Sequence, residues 1–103
     1  MVKHINSSEF KEEVLDQKGL VLVDFFATWC PPCKMLGPVL EEVSNSRANF
    51  KIVKVNIDEN PDKASEYGVE VVPTMIVFRD GKIVNRTEGY MPKDDVIDLL
   101  SKS

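Results

Sequence analysis

Two long apolar runs dominate the pattern of hydrophobic and polar positions along the chain. The first covers residues 20–26 and is broken only by Asp24, and the second covers residues 71–78. Runs that are apolar on both faces are typical of strands buried on both sides in a sheet covered by helices. Residues 50–57, where apolar positions alternate with lysine and asparagine, predict a further strand.

The start of the chain predicts a short strand and a helix. Residues 2–5 can form the strand, and Asn6 follows as a helix N-cap with Glu9 as its capping-box partner. Phe10 and Val14 then lie four residues apart among charged neighbours, which is typical of an amphipathic helix.

The segment after the first apolar run has a clear helical repeat. Its apolar residues fall at positions i, i+3, i+4 and i+7, namely Leu36, Val39, Leu40 and Val43. Pro38 lies inside this repeat and is expected to kink the helix, because proline lacks an N–H and clashes with the preceding turn.

In the second half of the chain, predicted strands and helices again alternate. Asn60 and Pro61 predict an N-cap and the first residue of a short helix, which should end at Gly68.

A hairpin and a last helix complete the chain. The Asp80-Gly81 pair is a hairpin signal, Gly89 should break the returning strand, and Pro92 should open the last helix. The predicted order is β-α-β-α-β-α-β-β-α, in which strands separated by helices are parallel and the hairpin is antiparallel. The fold class is therefore α/β, one domain over residues 1–103 with a mixed sheet.

The composition is that of an ordinary globular domain, and it excludes several function classes. A net charge of −4 argues against nucleic acid and against anionic membrane surfaces as partners. No apolar run approaches the roughly 18 residues of a membrane span. The N-terminus has no charged region followed by an apolar region, so a cytoplasmic location is expected.

The two cysteines, Cys30 and Cys33, follow shortly after the first apolar run. Two thiols separated by two residues can form and break a disulfide without moving distant parts of a fold. If a helix begins here, Cys30 is its N-cap, and Pro31 and Pro32 occupy positions where a missing N–H costs nothing. The Cys33 N–H, the helix dipole and the nearby Lys34 would then favour a Cys30 thiolate. Cys30 is thus the predicted attacking thiol and Cys33 the resolving thiol.

Three simpler interpretations of this pair compete with a redox role. A structural disulfide of this size would restrict the unfolded chain by only about 2 kcal/mol, and disulfides in the cytosol are mostly transient. A zinc site needs about four ligands, whereas His4 is the only histidine and a surface position suits it better. Two inert buried cysteines would not be expected at a helix N-terminus.

Asp24 is the polar residue that interrupts the first apolar run. It can be a strand-end aspartate that reaches solvent or caps a neighbouring group. Alternatively, it is a buried carboxyl behind the dithiol, where burial would raise its pKa. A carboxylate that titrates near neutral pH could accept the proton of Cys33 when the mixed disulfide resolves.

Several segments resemble the thioredoxin family. Residues 24–34 are similar to its active-site segment, and residues 54–58, 72–74 and 88–90 match its later motifs. The resemblance implies a thioredoxin fold, with about five strands flanked by four helices, and a monomer that reduces disulfides in protein substrates. It further implies that no cofactor is bound and that a thioredoxin reductase restores the dithiol. In this family a lysine matching Lys54 lies close to the aspartate matching Asp24.

The same resemblance implies a substrate-binding surface. Pro73 would be a cis proline facing the dithiol. Without the resemblance, its position is equally that of an ordinary proline at the start of a strand. Its cis bond would leave the Val72 backbone free to pair with an extended substrate. Gly89 would keep the neighbouring surface flat, Pro32 would lie beside the dithiol, and Trp29 would form an apolar platform or else part of the core.

The chain departs from the family pattern between the cysteines. Pro31 stands where thioredoxins usually have glycine, and residues at this position influence the reduction potential. Val71 stands where many members of the family have a small residue. Phe26 stands where tryptophan or tyrosine is common. A more oxidising thiol oxidase or isomerase, and a docking module built on this fold, are therefore the alternative functions.

Overall fold

A five-stranded mixed sheet forms the centre of the computed structural model, which describes residues 2–46 and 49–103. Its strands are β1 (Lys3–His4), β2 (Leu20–Phe26), β3 (Phe50–Asn56), β4 (Thr74–Arg79) and β5 (Lys82–Glu88). They lie side by side in the order β1-β3-β2-β4-β5. The helices are an N-terminal helical segment (Ser7–Glu9 and Lys11–Leu15), α1 (Pro31–Ser46), α2 (Pro61–Glu66) and α3 (Lys93–Ser101).

The strand pairing agrees with the predicted mixed sheet. β3 pairs in parallel with β1 and with β2, because a helical element connects each of these strands to the next. β4 is antiparallel to β2 and to β5. The central strand β2 is buried along its whole length, as its apolar run predicts. None of the helices that the structure describes is long and apolar enough to cross a membrane.

Alternating side chains of the sheet form two cores on its opposite faces. On one face, Leu20 and Leu22 of β2 pack with residues of α1 and α3. On the other face, Val21, Val23 and Phe25 pack with the N-terminal helical segment and with residues next to α2. Since side chains alternate along a strand, Asp24 points to the face that α1 covers.

The capping box at the N-terminal helical segment is confirmed. The Asn6 side chain accepts a hydrogen bond from the Glu9 N–H at 3.1 Å, and the Glu9 carboxylate accepts one from the Asn6 N–H at 3.0 Å. The segment itself is less regular than the predicted amphipathic helix. A 3-10 turn leads into a π-helical turn, in which the Asp16 N–H reaches back five residues to the Lys11 carbonyl. Phe10 and Val14 are nevertheless fully buried, as their spacing predicts.

α1 and α2 lie where the sequence predicts helices, but the predicted cap of α2 is not formed. α1 is a helix from Pro31 to Ser46 with Pro38 inside it. Asn60 precedes α2 as predicted, but its side chain does not cap the helix. It is buried and accepts a hydrogen bond from the Ser7 N–H at 2.8 Å, because the N-terminal helical segment packs against this loop. α2 ends before Gly68, as expected.

The hairpin between β4 and β5 sets up a prediction about stability. Asp80 and Gly81 both have left-handed backbone angles, with φ of 52° and 81°, as the Asp-Gly signal predicts. A Cβ atom on Gly81 would overlap the Leu15 carbonyl oxygen. We expect Gly81→Ala to lower the free energy of unfolding by about 2–4 kcal/mol, measured by urea denaturation, because the conformational and steric costs add.

Gly19→Ala is the matched control for that substitution. Gly19 also has a left-handed φ of 77°, but a Cβ atom there would have no neighbour within 4 Å. Only the conformational cost of about 1–2 kcal/mol should apply. Equal losses in the two variants would show that the contact with Leu15 does not constrain the hairpin.

Candidate active site

The two cysteines form a disulfide at the junction of β2 and α1. Cys30 directly precedes Pro31, the first residue of α1, and Cys33 lies in the first turn, so the predicted helix start is confirmed. The Cys33 N–H lies 3.2 Å from the Cys30 sulfur. After reduction, this N–H and the positive end of the helix dipole would favour a Cys30 thiolate. Pro31 and Pro32 are exposed in the first turn, where no backbone donor is needed.

The segment before β4 lies against the Cys30 sulfur. The carbonyl oxygen of Val72 is 3.6 Å from that sulfur, and the Val72–Pro73 peptide bond is cis. The Gly89 N–H donates a hydrogen bond to the Pro73 carbonyl at 2.8 Å. The structure therefore brings Val72, Pro73 and Gly89 together beside Cys30, although they are distant from it in the sequence.

Trp29 lies on the surface and not in the core. Its side chain is 64% exposed, which excludes the alternative of a partial core residue. Its indole Nε1–H donates a hydrogen bond to Asp58 Oδ2 at 2.7 Å. No role for Asp58 was inferred from the sequence. The feature of the sequence that could have indicated Asp58 is its place in the segment 54–58, just after β3, a strand that is parallel to β2.

Asp24 is completely buried, so the prediction of a buried carboxyl is confirmed and a solvent-facing aspartate is excluded. Among the described residues, neither of its carboxylate oxygens has a hydrogen-bond partner. Burial raises the pKa of Asp24 to about 7, against the smaller lowering effect of the Lys54 charge. The group can therefore exchange a proton near neutral pH.

Lys54 lies beside Asp24 because the two residues are paired in the register of β2 and β3. Its ammonium nitrogen is 4.4 Å from the centre of the Phe26 ring, an example of a cation–π contact. Phe26, two residues after Asp24 on β2, packs with Cys30 and Cys33. The Phe26 ring therefore contacts Lys54 as well as the two cysteines, and so connects the Asp24–Lys54 pair to the dithiol.

An open cleft lies next to this contact. It has a volume of about 240 Å³ and is lined by Phe26, Ala27, Thr28, Cys33, Lys34 and Lys54. Solvent in the cleft therefore meets Cys33 and the lysine that pairs with Asp24. Asp24 itself does not line the cleft and stays fully buried behind Lys54, which is partly exposed.

Replacing Lys54 should change the titration of Asp24. We expect Lys54→Met to raise the pKa of Asp24 above its value of about 7, because the ammonium group stabilises the carboxylate. The ¹³C chemical shift of the Asp24 carboxyl, followed against pH in the oxidised protein, measures this. Lys51→Met is the control, since Lys51 is on the same strand but forms an ion pair with Glu13 at 2.6 Å. Equal titration curves in the wild type and Lys54→Met would contradict the pairing.

His4 is an exposed residue on the short strand β1, as predicted. Its ring meets the Phe26 ring edge-on, with centroids 5.5 Å apart. In the part of the chain that the structure describes, no group of three or more histidine, cysteine, aspartate or glutamate side chains could hold a metal ion.

A disulfide at a helix start, preceded by a strand that carries a buried carboxyl, is typical of the class of thiol-disulfide oxidoreductases. The sequence also matches the family model for thioredoxin over residues 1–102. The chain belongs to the thioredoxin family.

Curated relatives support this assignment over the whole chain. The thioredoxin of Listeria monocytogenes is 44% identical over 103 residues, which covers 99% of this chain and 98% of the relative. The thioredoxin of Chlamydia caviae is 47% identical over 102 residues, with the same two coverages. That of Rickettsia felis is 42% identical over 104 residues, covering 100% of this chain and 99% of the relative.

These matches and the Cys30–Cys33 pair show that the chain is a thiol-disulfide oxidoreductase with protein-disulfide reductase activity. The alternative functions, a more oxidising oxidase or isomerase and a docking module, are not favoured. The thioredoxin fold predicted from the sequence is confirmed by the mixed sheet and its four helical elements in the described residues.

Proposed function

We propose that the chain acts as a cytoplasmic, monomeric electron carrier of a single domain, residues 1–103, which a thioredoxin reductase keeps reduced. The observation that carries the proposal is the position of the Cys30 sulfur. This sulfur lies 3.6 Å from the Val72 carbonyl oxygen, and Cys30 directly follows the exposed Trp29. A substrate bound between Trp29 and Val72 would therefore meet the attacking sulfur.

In the first step, the Cys30 thiolate attacks one sulfur of a substrate disulfide. A bond forms between Cys30 and that sulfur, and the other substrate sulfur leaves as a thiolate. In the second step, the Asp24 carboxylate takes the proton of the Cys33 thiol, and the Cys33 thiolate attacks the Cys30 sulfur. The remaining substrate thiolate leaves, the Cys30–Cys33 disulfide closes, and two electrons have passed to the substrate.

Lys54 adjusts the second step through Asp24. Its positive charge opposes the effect of burial on the pKa of Asp24 and so keeps part of that carboxyl ionised near neutral pH. The chain needs no bound cofactor for either step, because its two thiols supply the two electrons and the reductase later returns them to the Cys30–Cys33 disulfide.

Five residues around Cys30 would bind the substrate. An extended substrate segment would pair with the Val72 backbone by strand addition, next to Pro73. Gly89 supports this arrangement through its hydrogen bond to the Pro73 carbonyl, and a Cβ atom there would project into open space. Trp29 and Pro32 would supply the exposed apolar surface on the other side of Cys30.

The test combines the chain, a bacterial thioredoxin reductase, NADPH and insulin as a disulfide substrate. NADPH should be consumed only when the chain and the reductase are both present. The control is the chain reduced beforehand with dithiothreitol, which should reduce insulin without the reductase. If the chain reduced beforehand reduces insulin but the full system consumes no NADPH, the proposal of a reductase partner fails. The reducing activity of the chain then still stands.

Two further measurements address the reducing role and the location. At equilibrium with a glutathione buffer, a chain that acts as a reductant should hold its disulfide when the glutathione pool is largely reduced. A dithiol that stays reduced under mildly oxidising conditions would indicate an oxidant. Immunoblots of fractionated cells should find the chain with the cytoplasmic proteins.

A further inference from the structure

The loop between β3 and α2, residues 57–60, is organised by the side chain of Asn56. The amide oxygen of Asn56 accepts hydrogen bonds from the Asp58 N–H at 2.8 Å and from the Glu59 N–H at 3.2 Å. This is an Asx turn, in which one side chain takes the place of a backbone turn. Asn56 thereby fixes the backbone position from which the Asp58 side chain projects.

Asp58 in turn fixes the indole of Trp29. An exposed tryptophan can adopt several rotamers, and ordering it costs entropy. The bond from Nε1–H to the Asp58 carboxylate is short, at 2.7 Å, and is strengthened by the negative charge of the acceptor. The indole has one N–H donor, so this bond uses its whole hydrogen-bonding capacity.

The far end of the loop is held independently of the Asn56 side chain. The Asn60 N–H and its side-chain amide both donate to the backbone carbonyl of Asn56, each at 3.0 Å. The Asn60 oxygen accepts from the Ser7 N–H at 2.8 Å. Removing the Asn56 side chain should therefore release Asp58 and Glu59 while Asn60 and α2 stay in place.

We infer that Asn56 is a positioning residue for substrate docking, which acts through Asp58 on the orientation of Trp29. The inference rests on the proposed role of Trp29 as a docking surface. It deepens that role, because it assigns the preorganisation of the indole to one amide on β3. A preorganised aromatic surface loses less entropy when a protein substrate binds.

The chemistry of this turn predicts which substitutions are tolerated. Both hydrogen bonds that define the turn use the Asn56 side chain as an acceptor. Aspartate offers an oxygen at the same position, so Asn56→Asp should preserve the turn, whereas Asn56→Ala should lose it. Asn85→Ala is the matched control. Its amide oxygen accepts from the neighbouring Arg86 N–H at 2.9 Å, in the middle of β5.

The first arm of the experiment reads the orientation of the indole directly. Since the chain has one tryptophan, its ¹⁵N-labelled form gives one indole N–H signal without assignment. Asn56→Ala should move this signal towards that of Asp58→Ala and speed its exchange with solvent. Asn56→Asp and Asn85→Ala should leave it at the wild-type position.

The second arm measures docking. The reduced protein reacts with insulin and, separately, with dithiobis(nitrobenzoate), a small disulfide that needs little docking surface. The ratio of the two second-order rate constants should fall about three- to tenfold in Asn56→Ala and recover in Asn56→Asp, as expected for the loss of one hydrogen bond. Asn56→Ala added to Asp58→Ala should cause no further fall.

Several outcomes would overturn the inference. An unmoved indole signal in Asn56→Ala, an equal fall in both rate constants, or additive losses in the double variant would each do so. Asn56→Val, whose side chain has no acceptor and suits a strand end, carries the same comparison if Asn56→Ala does not fold. A Trp29→Ala variant separates the two proposals: an unchanged ratio there rejects the docking role of Trp29, while the indole signal still decides whether Asn56 orients it.

Discussion

Cys33→Ser is expected to abolish turnover and to leave the protein covalently attached to its substrate. Cys30 keeps its position before α1, so it can still attack a substrate disulfide. The mixed disulfide then persists, because serine cannot supply the second thiolate. Insulin turnover should fall at least about a thousandfold, as when one member of a catalytic unit is removed. Non-reducing gel electrophoresis should show the covalent adduct.

Cys30→Ser is the matched control for this trapping experiment. It should lose turnover to the same extent but form little adduct, since Cys33 lies inside the first turn of α1 and lacks the position before the helix that favours a Cys30 thiolate. Trapping through Cys33 in the Cys30→Ser variant, with none in Cys33→Ser, would reverse the roles assigned to the two cysteines.

Asp24→Asn is expected to change stability in a pH-dependent way. Burial raises the pKa of Asp24 from 3.8 to about 7, so the folded chain binds more protons than the unfolded chain between these values. The stability of the wild type should therefore fall as pH rises through this window and level off above about pH 7. The full penalty for the charged form has an upper limit of about 4 kcal/mol.

Asparagine removes this penalty but leaves an amide without partners, at a cost of about 1–3 kcal/mol. We expect a net gain of about 1–3 kcal/mol for Asp24→Asn at pH values above about 7, and no gain at acid pH. Urea denaturation at both pH values measures it. The exposed Asp94, at the start of α3, provides the control Asp94→Asn, which should show no such pH dependence. A constant difference between Asp24→Asn and the wild type at all pH values would contradict the raised pKa.

The same substitution should slow the resolving step. Without the Asp24 carboxylate, the Cys33 thiol loses its nearby proton acceptor, and decay of the mixed disulfide should slow about a hundredfold near neutral pH. The deficit should shrink as pH rises, because solvent hydroxide can take the proton. Acid-quenched single-turnover reactions measure this decay. Identical pH profiles over about pH 6–9 would show that Asp24 is not the acceptor.

Much of the fold could be predicted because local patterns determine it. The apolar run around Asp24 predicted a fully buried central strand, since only such a strand is apolar on both faces. The Asp80-Gly81 pair predicted the hairpin, because few other residues adopt left-handed angles at both positions. The Asn6 capping box needed only four consecutive residues.

Features that depend on contacts between distant segments could not be predicted in this way. The Asn60 side chain does not cap α2 as expected, because it accepts a hydrogen bond from the backbone N–H of Ser7, which is far away in the sequence. The hydrogen bond between Trp29 and Asp58 likewise joins two loops at the ends of adjacent strands. No local propensity describes either contact, because each depends on how the sheet brings its strand ends together.

The active site shows the same division. By itself, the sequence determined the spacing of Cys30 and Cys33, their place at the start of a helix, and the presence of a carboxyl in a buried strand. The tertiary structure decided that this carboxyl lies beside Lys54 without a hydrogen-bond partner, and that the Val72 carbonyl lies against the Cys30 sulfur. The physical reason is that strand register and helix packing set these distances, and both arise only when the whole sheet has formed.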